Sequence, residues 1–425
     1  MKHTFAKTLA LVLALTMVLS MGSAFAEGTT VTMWHCQTQE LREKAINDAI
    51  DRYQETSGNT VEVSAIANDA YKDKIKVAIG ADEAPDIFFS WSGGPMNAYV
   101  NAGILQDLTP YMEPIKDKWM DAAIAQATYQ DKIWAVPVEN VSVAMLFYNK
   151  KVFEENGLTP PTTLAELEAV ADALLEKGIA PFSLANKTMW TGSMWYMYLV
   201  DRTAGNAVFS DAANRTNGGS FENPAFTDAG NTLQDMVKKN YFINGFNGLD
   251  EDSGQSRQML YAGRAGMYLM GSWAIATITS ENPDFLPDLG MIPFPVVEGG
   301  AGDPTALVGT VGDNFYHISA GSQNPDVAFE AIASLLDDQA ILDRVAAGAI
   351  PPVKGIGDKI TDEKLSELLG IVENAKSIQL WYDQYLSPAM SELHKSTSQE
   401  LFGLTKTPEE VNKLMEDAMA KEAGE

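Results

Sequence analysis

The chain carries one cysteine in 425 residues. A single thiol closes no internal disulfide and builds no cysteine-based zinc site. Histidine is nearly as scarce. His3, His35, His317 and His394 lie far apart, with none at H-x-x-x-H spacing, so no metal centre is expected. Positive charge is also short: 30 lysines and arginines stand against 57 aspartates and glutamates, a formal charge of −27. That balance excludes a nucleic-acid partner, which needs a clustered basic face, and docking on anionic lipid. Long apolar runs are missing. The longest, from Leu9 to Leu19, is broken by Thr16 and falls short of the ~20 residues a bilayer span needs.

That short run has a different reading. Lys2 and Lys7 stand at its start, and Ala24-Phe25-Ala26 follows it. A basic n-region, a short apolar region and an A-x-A site predict a secretory signal over residues 1–26. Cys36 follows Met33-Trp34-His35 rather than the small residues of a lipid-attachment box. The expected product is therefore exported, periplasmic or extracellular, with Cys36 as a small hydrophobe near a strand end.

Catalytic signatures are absent too. No G-x-S-x-G elbow and no Walker loop is present, and Gly300-Ala301-Gly302 lacks the third glycine of a dinucleotide fingerprint, Thr305 standing in its place. No cofactor is expected. Paired carboxylates are always available among 57 acids, so they argue little for glycoside hydrolysis.

At 46% hydrophobic and 20% charged, the chain is globular and long enough for two domains. Val31 to Trp34 reads as a strand, and Gln39 to Glu55 as a helix with Leu41, Ala45, Ile46, Ala49, Ile50 and Tyr53 at helical spacing. A strand over 60–66, a helix over 69–80 and a strand over 85–89 complete a β-α-β-α-β order, which predicts an α/β lobe with a largely parallel sheet. The pattern resumes with strands over 132–138 and 143–148, a helix over 164–177, a helix over 226–239 and a strand over 265–270. Ser272 is placed to cap a helix beginning at Trp273. Thr407, Pro408 and Glu410 form a capping box before the last helix.

The aromatic residues say more. Trp91, Trp273 and Trp381 stand beside glycine, serine or aspartate at loop-like positions, while Trp34, Trp119, Trp134 and Trp195 read as packing residues. For Trp91, Trp190, Trp273 and Trp381, core and cleft readings stay open. A sugar ring has an apolar C–H face that packs on indole and a hydroxyl rim that bonds carboxylates and amides. An acidic exported chain with exposed tryptophan suits a neutral carbohydrate.

Six segments carry a resemblance: Ala84 to Trp91; Gly103 to Thr109; Val136 to Glu139 with Leu146 to Lys150; Pro181 to Trp190; Gly263 to Trp273; and Thr310 to Ser319. In this order the chain resembles the family 1 extracellular solute-binding proteins of ABC importers, with the raffinose and multiple-sugar binders as the nearest type. The resemblance implies a periplasmic-binding-protein-like fold, two α/β lobes around a ligand cleft. Crossings are expected near Val138, Pro293 and Asp337. Residues 27–138 plus 294–336 would form lobe 1, and 139–293 plus 337–425 lobe 2. It implies a monomer that is not an enzyme, binds an oligosaccharide by hinge closure and delivers it to the permease subunits. The alternatives are a secreted glycoside hydrolase and a binder of a non-sugar solute. The ligand-binding residues implied are Asn68, Trp91, Glu139, Trp190, Trp273, Trp381 and Asp383. One departure stands out: Ser90-Trp91-Ser92-Gly93-Gly94 lacks the acidic and basic pair that maltose binders carry there, which argues against maltodextrin.

Overall fold

Short apolar runs bounded by turns build two separate sheets in this computed structural model, which describes residues 28–424. The leader expected over 1–26 lies outside the described residues. The strands are β1 (Thr30–His35), β2 (Thr60–Ala65), β3 (Ile87–Ser90), β4 (Thr128–Tyr129), β5 (Lys132–Ile133), β6 (Val136–Pro137), β7 (Val141–Asn149), β8 (Ala180–Ser183), β9 (Ala265–Gly271), β10 (Leu289–Ile292), β11 (Leu307–Val311), β12 (Phe315–Ile318) and β13 (Ile378–Gln379). The helices used below are α1 (Glu40–Ser57), α2 (Asn68–Gly80), α3 (Gly94–Asn101), α4 (Trp190–Ala204), α5 (Ala274–Glu281), α6 (Pro325–Ser334), α7 (Asp338–Ala346), α8 (Tyr382–Tyr385) and α9 (Pro388–Phe402).

The first sheet has the order β2-β1-β3-β12-β6. Its first three strands are parallel, with Met33 opposite Val63 and Ile87, and β12 closes on β3 antiparallel, with His317 opposite Phe88. Helix α1 joins β1 to β2. It buries Ala45, Ile46, Ala49, Ile50 and Tyr53, and Gly58 ends it in the left-handed conformation. The second sheet has the order β13-β11-β7-β9-β8, with β10 also on β7. Strand β7 is its spine: every residue but Tyr148 is buried, as a strand covered on both faces requires. Each sheet carries its own core.

Sheet membership fixes the crossings. Strand β6 belongs to the first sheet and β7 to the second, so the chain passes over at 138–140. Strand β11 pairs with β7, Gly309 opposite Val143, and β12 pairs with β3. The return therefore falls at Gly312-Asp313-Asn314. This corrects the expected crossing near Pro293, and the stretch from there to Val311 stays with the second lobe. The pairing is made with a distant strand, and glycine permits it: a Cβ on Gly309 would lie 2.7 Å from the Cα of Val143. The third passage is α7, capped by the Asp337 carboxylate. Its Ala340 enters the first core, while Ile341 and Val345 enter the second.

One residue ties the first two passages to the segment that follows the third. The Asn140 carbonyl accepts from the Gly312 N–H at 3.1 Å, and its side-chain oxygen accepts from the Ile350 N–H at 2.7 Å. Among the described residues, no helix is long and apolar enough to cross a membrane.

In the second core, Asp201 on α4 accepts from the Tyr382 hydroxyl. Burial pushes its carboxyl up to about 7, against the pull of Tyr382 and Arg202. Folding thus takes up a proton between the ordinary carboxylate range and pH 7, and stability falls as pH rises through that window. Asp201→Asn keeps an acceptor for Tyr382 and removes the titration. In urea melts from pH 5 to 8, the wild type is expected to lose stability relative to Asp201→Asn. A constant difference would show that the carboxyl does not titrate there.

Candidate functional site

A cavity of about 700 Å³ opens between the lobes. Its wall is made at element ends, where side chains are fixed by a strand or helix yet project past it. Asn68 opens α2 after β2, and Trp91 follows β3. Trp190 opens α4, Trp273 stands between β9 and α5, and Trp381 and Asp383 lie at the start of α8. Ligand crevices outside the carboxyl ends of parallel strands follow the same logic.

Six of the seven residues singled out from the sequence line this cavity: Asn68, Trp91, Trp190, Trp273, Trp381 and Asp383. Three of the indoles form a row on the second lobe. Trp190 and Trp273 are 5.9 Å apart between ring centroids at 55°, and Trp273 and Trp381 5.8 Å apart at 58°. Trp91 faces them from the first lobe, its ring braced edge-on by Phe89 at 5.2 Å. The Lys72 ammonium lies 5.4 Å from the Trp91 centroid and 5.5 Å from that of Trp190, so one cation joins indoles of both lobes.

The seventh residue, Glu139, does not line the cavity. It is 2% exposed. Its carboxylate is 3.3 Å from Arg42 and 3.8 Å from Arg344, and it accepts from the Tyr316 hydroxyl at 3.2 Å. Burial alone would raise its pKa, but Arg344 and Arg42 outweigh it and hold the carboxyl below the usual range. Glu139 is thus sequestered behind Arg42, which does face the cavity. Ser272 also departs from expectation. It makes no cap for α5; its hydroxyl donates to the Val141 carbonyl at 3.1 Å and accepts from the Val143 N–H at 3.3 Å. It anchors the loop under Trp273 to β7.

Several cavity residues carried no sequence signal of their own. Asp313 and Asn314 belong to the second crossing, inside the Thr310 to Ser319 segment, and Asn314 accepts from the Gln37 amide. Burial pushes the Asp313 carboxyl up to about 6, with Ser142 donating to it at 2.9 Å. Burial raises Asp383 too, against Lys395 and Lys72. Glu251 is held by Arg257, which also bonds Glu281 at 2.7 Å. At the rim, carboxylates of Asp69, Asp250 and Asp252 come within 4.8 Å of one another. Lys72 and Lys187 supply counter-charge to Asp69 and Asp250 at 3.2 and 3.1 Å.

Indole faces and carboxylate acceptors converge on the cavity. His35, His317 and His394 stay out of its wall, and burial lowers them to about 4, 4 and 3, so they are neutral at pH 7.

Comparison with known proteins agrees with this architecture. The profile of the bacterial extracellular solute-binding proteins matches residues 38–341. A xylose/arabinose-binding protein of Haloferax volcanii is 24% identical over 286 residues, 65% of this chain and 57% of that protein. A multiple sugar-binding protein of Streptococcus mutans is 26% identical over 238 residues, 54% of each chain. The chain thus spans little more than half the length of these curated relatives. A solved structure from work on xylan utilization by the thermophilic bacterium Caldanaerobius polysaccharolyticus is 33% identical. It superposes with a TM-score of 0.84 over 92% of this chain and 99% of that one.

Removing the Glu139 charge leaves two buried guanidinium groups facing each other. Glu139→Gln is expected to cost about 3–5 kcal/mol of stability at pH 7. Because the folded carboxyl sits below its ordinary value, this contribution is full above pH 4.5 and fades as pH falls through the folded pKa. Urea denaturation at pH 7 and pH 4 measures both. An unchanged midpoint at pH 7 would remove Glu139 from the hinge.

Proposed function

Given that the chain belongs to the bacterial extracellular solute-binding proteins, we propose that it is the substrate-binding component of an ABC importer. It binds an oligosaccharide by hinge closure and delivers it to the membrane permease. The observation that carries the reading is the indole row Trp190–Trp273–Trp381, with Trp91 opposite and Asp383 beside it. Indole faces take the C–H faces of pyranose rings, while Asp313, Asp383 and Asn68 accept or donate at the hydroxyl rim. The names of the xylose/arabinose-binding and multiple sugar-binding relatives support a sugar as the ligand. A cavity of about 700 Å³ suits a short oligosaccharide rather than a polymer.

The mechanism breaks no bond. Ligand binds one lobe, the lobes swing about the 138–140, 312–314 and 337–346 passages, and the closed form is read by the permease. The protein works as an exported monomer, periplasmic or extracellular, with residues 1–26 as its export signal.

A thermal-shift screen over mono- to tetrasaccharides, including raffinose, xylotriose and chitotriose, identifies the ligand, because a ligand stabilises by mass action above its Kd. With that sugar, calorimetry on Trp273→Ala is expected to show at least about tenfold weaker binding, from lost stacking and burial. Asp383→Asn is expected to cost about 1.5–3 kcal/mol, the worth of a charged hydrogen bond. Unchanged affinity in both variants would sink the site. Release of a new reducing end from any of these sugars would overturn the binding-only mechanism.

A further inference from the structure

The rim of the cleft beside Trp91 is closed by backbone. Gly93 and Gly94 at the start of α3, on the first lobe, lie against residues 384–387 of the second. A Cβ built on Gly94 would overlap the Leu386 carbonyl oxygen and lie 2.7 Å from its carbon and 3.3 Å from the Ser387 nitrogen. A Cβ on Gly93 would overlap the Gln384 carbonyl and lie 2.9 Å from Leu380 Cδ2. Gly93 also has φ +72° and ψ −132°, a conformation that side chains disfavour. Gly94 carries no such strain, so its missing side chain answers to the other lobe alone.

We infer that Gly93 and Gly94 are the seat on which the second lobe closes, and that their lack of side chains sets the closed angle of the cleft. The inference rests on the hinge-closure reading above. The seat stands two residues after Trp91, and its partner Gln384 lines the cavity next to Asp383. Seating therefore registers the first lobe's indole against the second lobe's acceptors. The other contacts across the rim are adjustable. The Asp69 N–H donates to Asp252 at 3.2 Å, and Lys76 meets Glu392 at 3.9 Å between exposed side chains. Long side chains tolerate a change of angle, whereas two main chains in contact do not. Gly93 and Gly94 are positioning residues: they touch the opposite lobe and act on ligand through Trp91.

The test needs no sugar, so it is independent of which ligand the protein takes. Lys76→Cys and Glu392→Cys in a Cys36→Ser background place a thiol on each side of the rim, and a short bismaleimide traps them whenever the lobes meet. Gly94→Ala is expected to slow trapping about tenfold, in proportion to the lost closed population. Gly80→Ala, at a glycine with nothing within 4 Å, is expected to leave it unchanged. Should Gly94→Ala lose its circular dichroism, Leu380→Phe thickens the same seam from the second lobe and is expected to slow trapping likewise. Equal rates in the seam variants and the Gly80→Ala control overturn the inference. So does failure to trap with the glycines intact while both thiols label singly.

Discussion

The structure turns on one buried carboxylate between two arginines. Glu139 sits on the first crossing, Arg42 on α1 of the first lobe and Arg344 on the third crossing. An unpaired charge in such a place would be prohibitive, so the three groups require each other. The next residue completes the knot: Asn140 holds the second crossing through its carbonyl and, through its side-chain oxygen, Ile350 just past the third. Three strands of chain thus pass between the lobes within a single bonded cluster. This cluster fixes where the two lobes sit beside each other. That is why side chains from segments as distant as Asn68 and Asp383 meet at one cavity.

Around this cluster, both lobes contribute to the cavity wall. The second presents the indole row and Asp383, and the first presents Trp91, Asn68 and Lys72. Burial also sets Asp313 and Asp383 apart from the many surface acids, raising both carboxyls above their ordinary range.

Much of this architecture was legible in the sequence. The β-α-β-α-β opening and the Gly58 stop appear as β1, α1, β2, α2 and β3, with Ala45, Ile46, Ala49, Ile50 and Tyr53 buried as their spacing suggests and Leu41 exposed at the helix start. The capping box at Thr407 and Glu410 forms as its residues suggest. The sequence leaves Trp91, Trp190, Trp273 and Trp381 open between core and cleft, and the structure puts all four on the cavity. What escaped depends on distant partners. The second crossing was placed near Pro293, because nothing local reveals that Leu307–Val311 pairs with β7. Glu139 looks like any carboxylate after a strand until Arg344, some two hundred residues on, is brought beside it. Ser272 has the side chain of a cap, yet its oxygen accepts from the Val143 N–H of a strand instead of from the helix terminus. Asp313 and Asn314 belong to a turn whose only sequence mark is Gly312.

The contact of Gly94 with the Leu386 carbonyl separates two design problems that proteins often solve with the same residues. The cavity wall is lined by indoles and carboxylates, all of them exchangeable by point mutation. The seam between the lobes is main chain against main chain, which point mutation scarcely alters so long as the glycines remain. The chemistry of the wall can therefore drift while the outline of the molecule at this seam stays as it is.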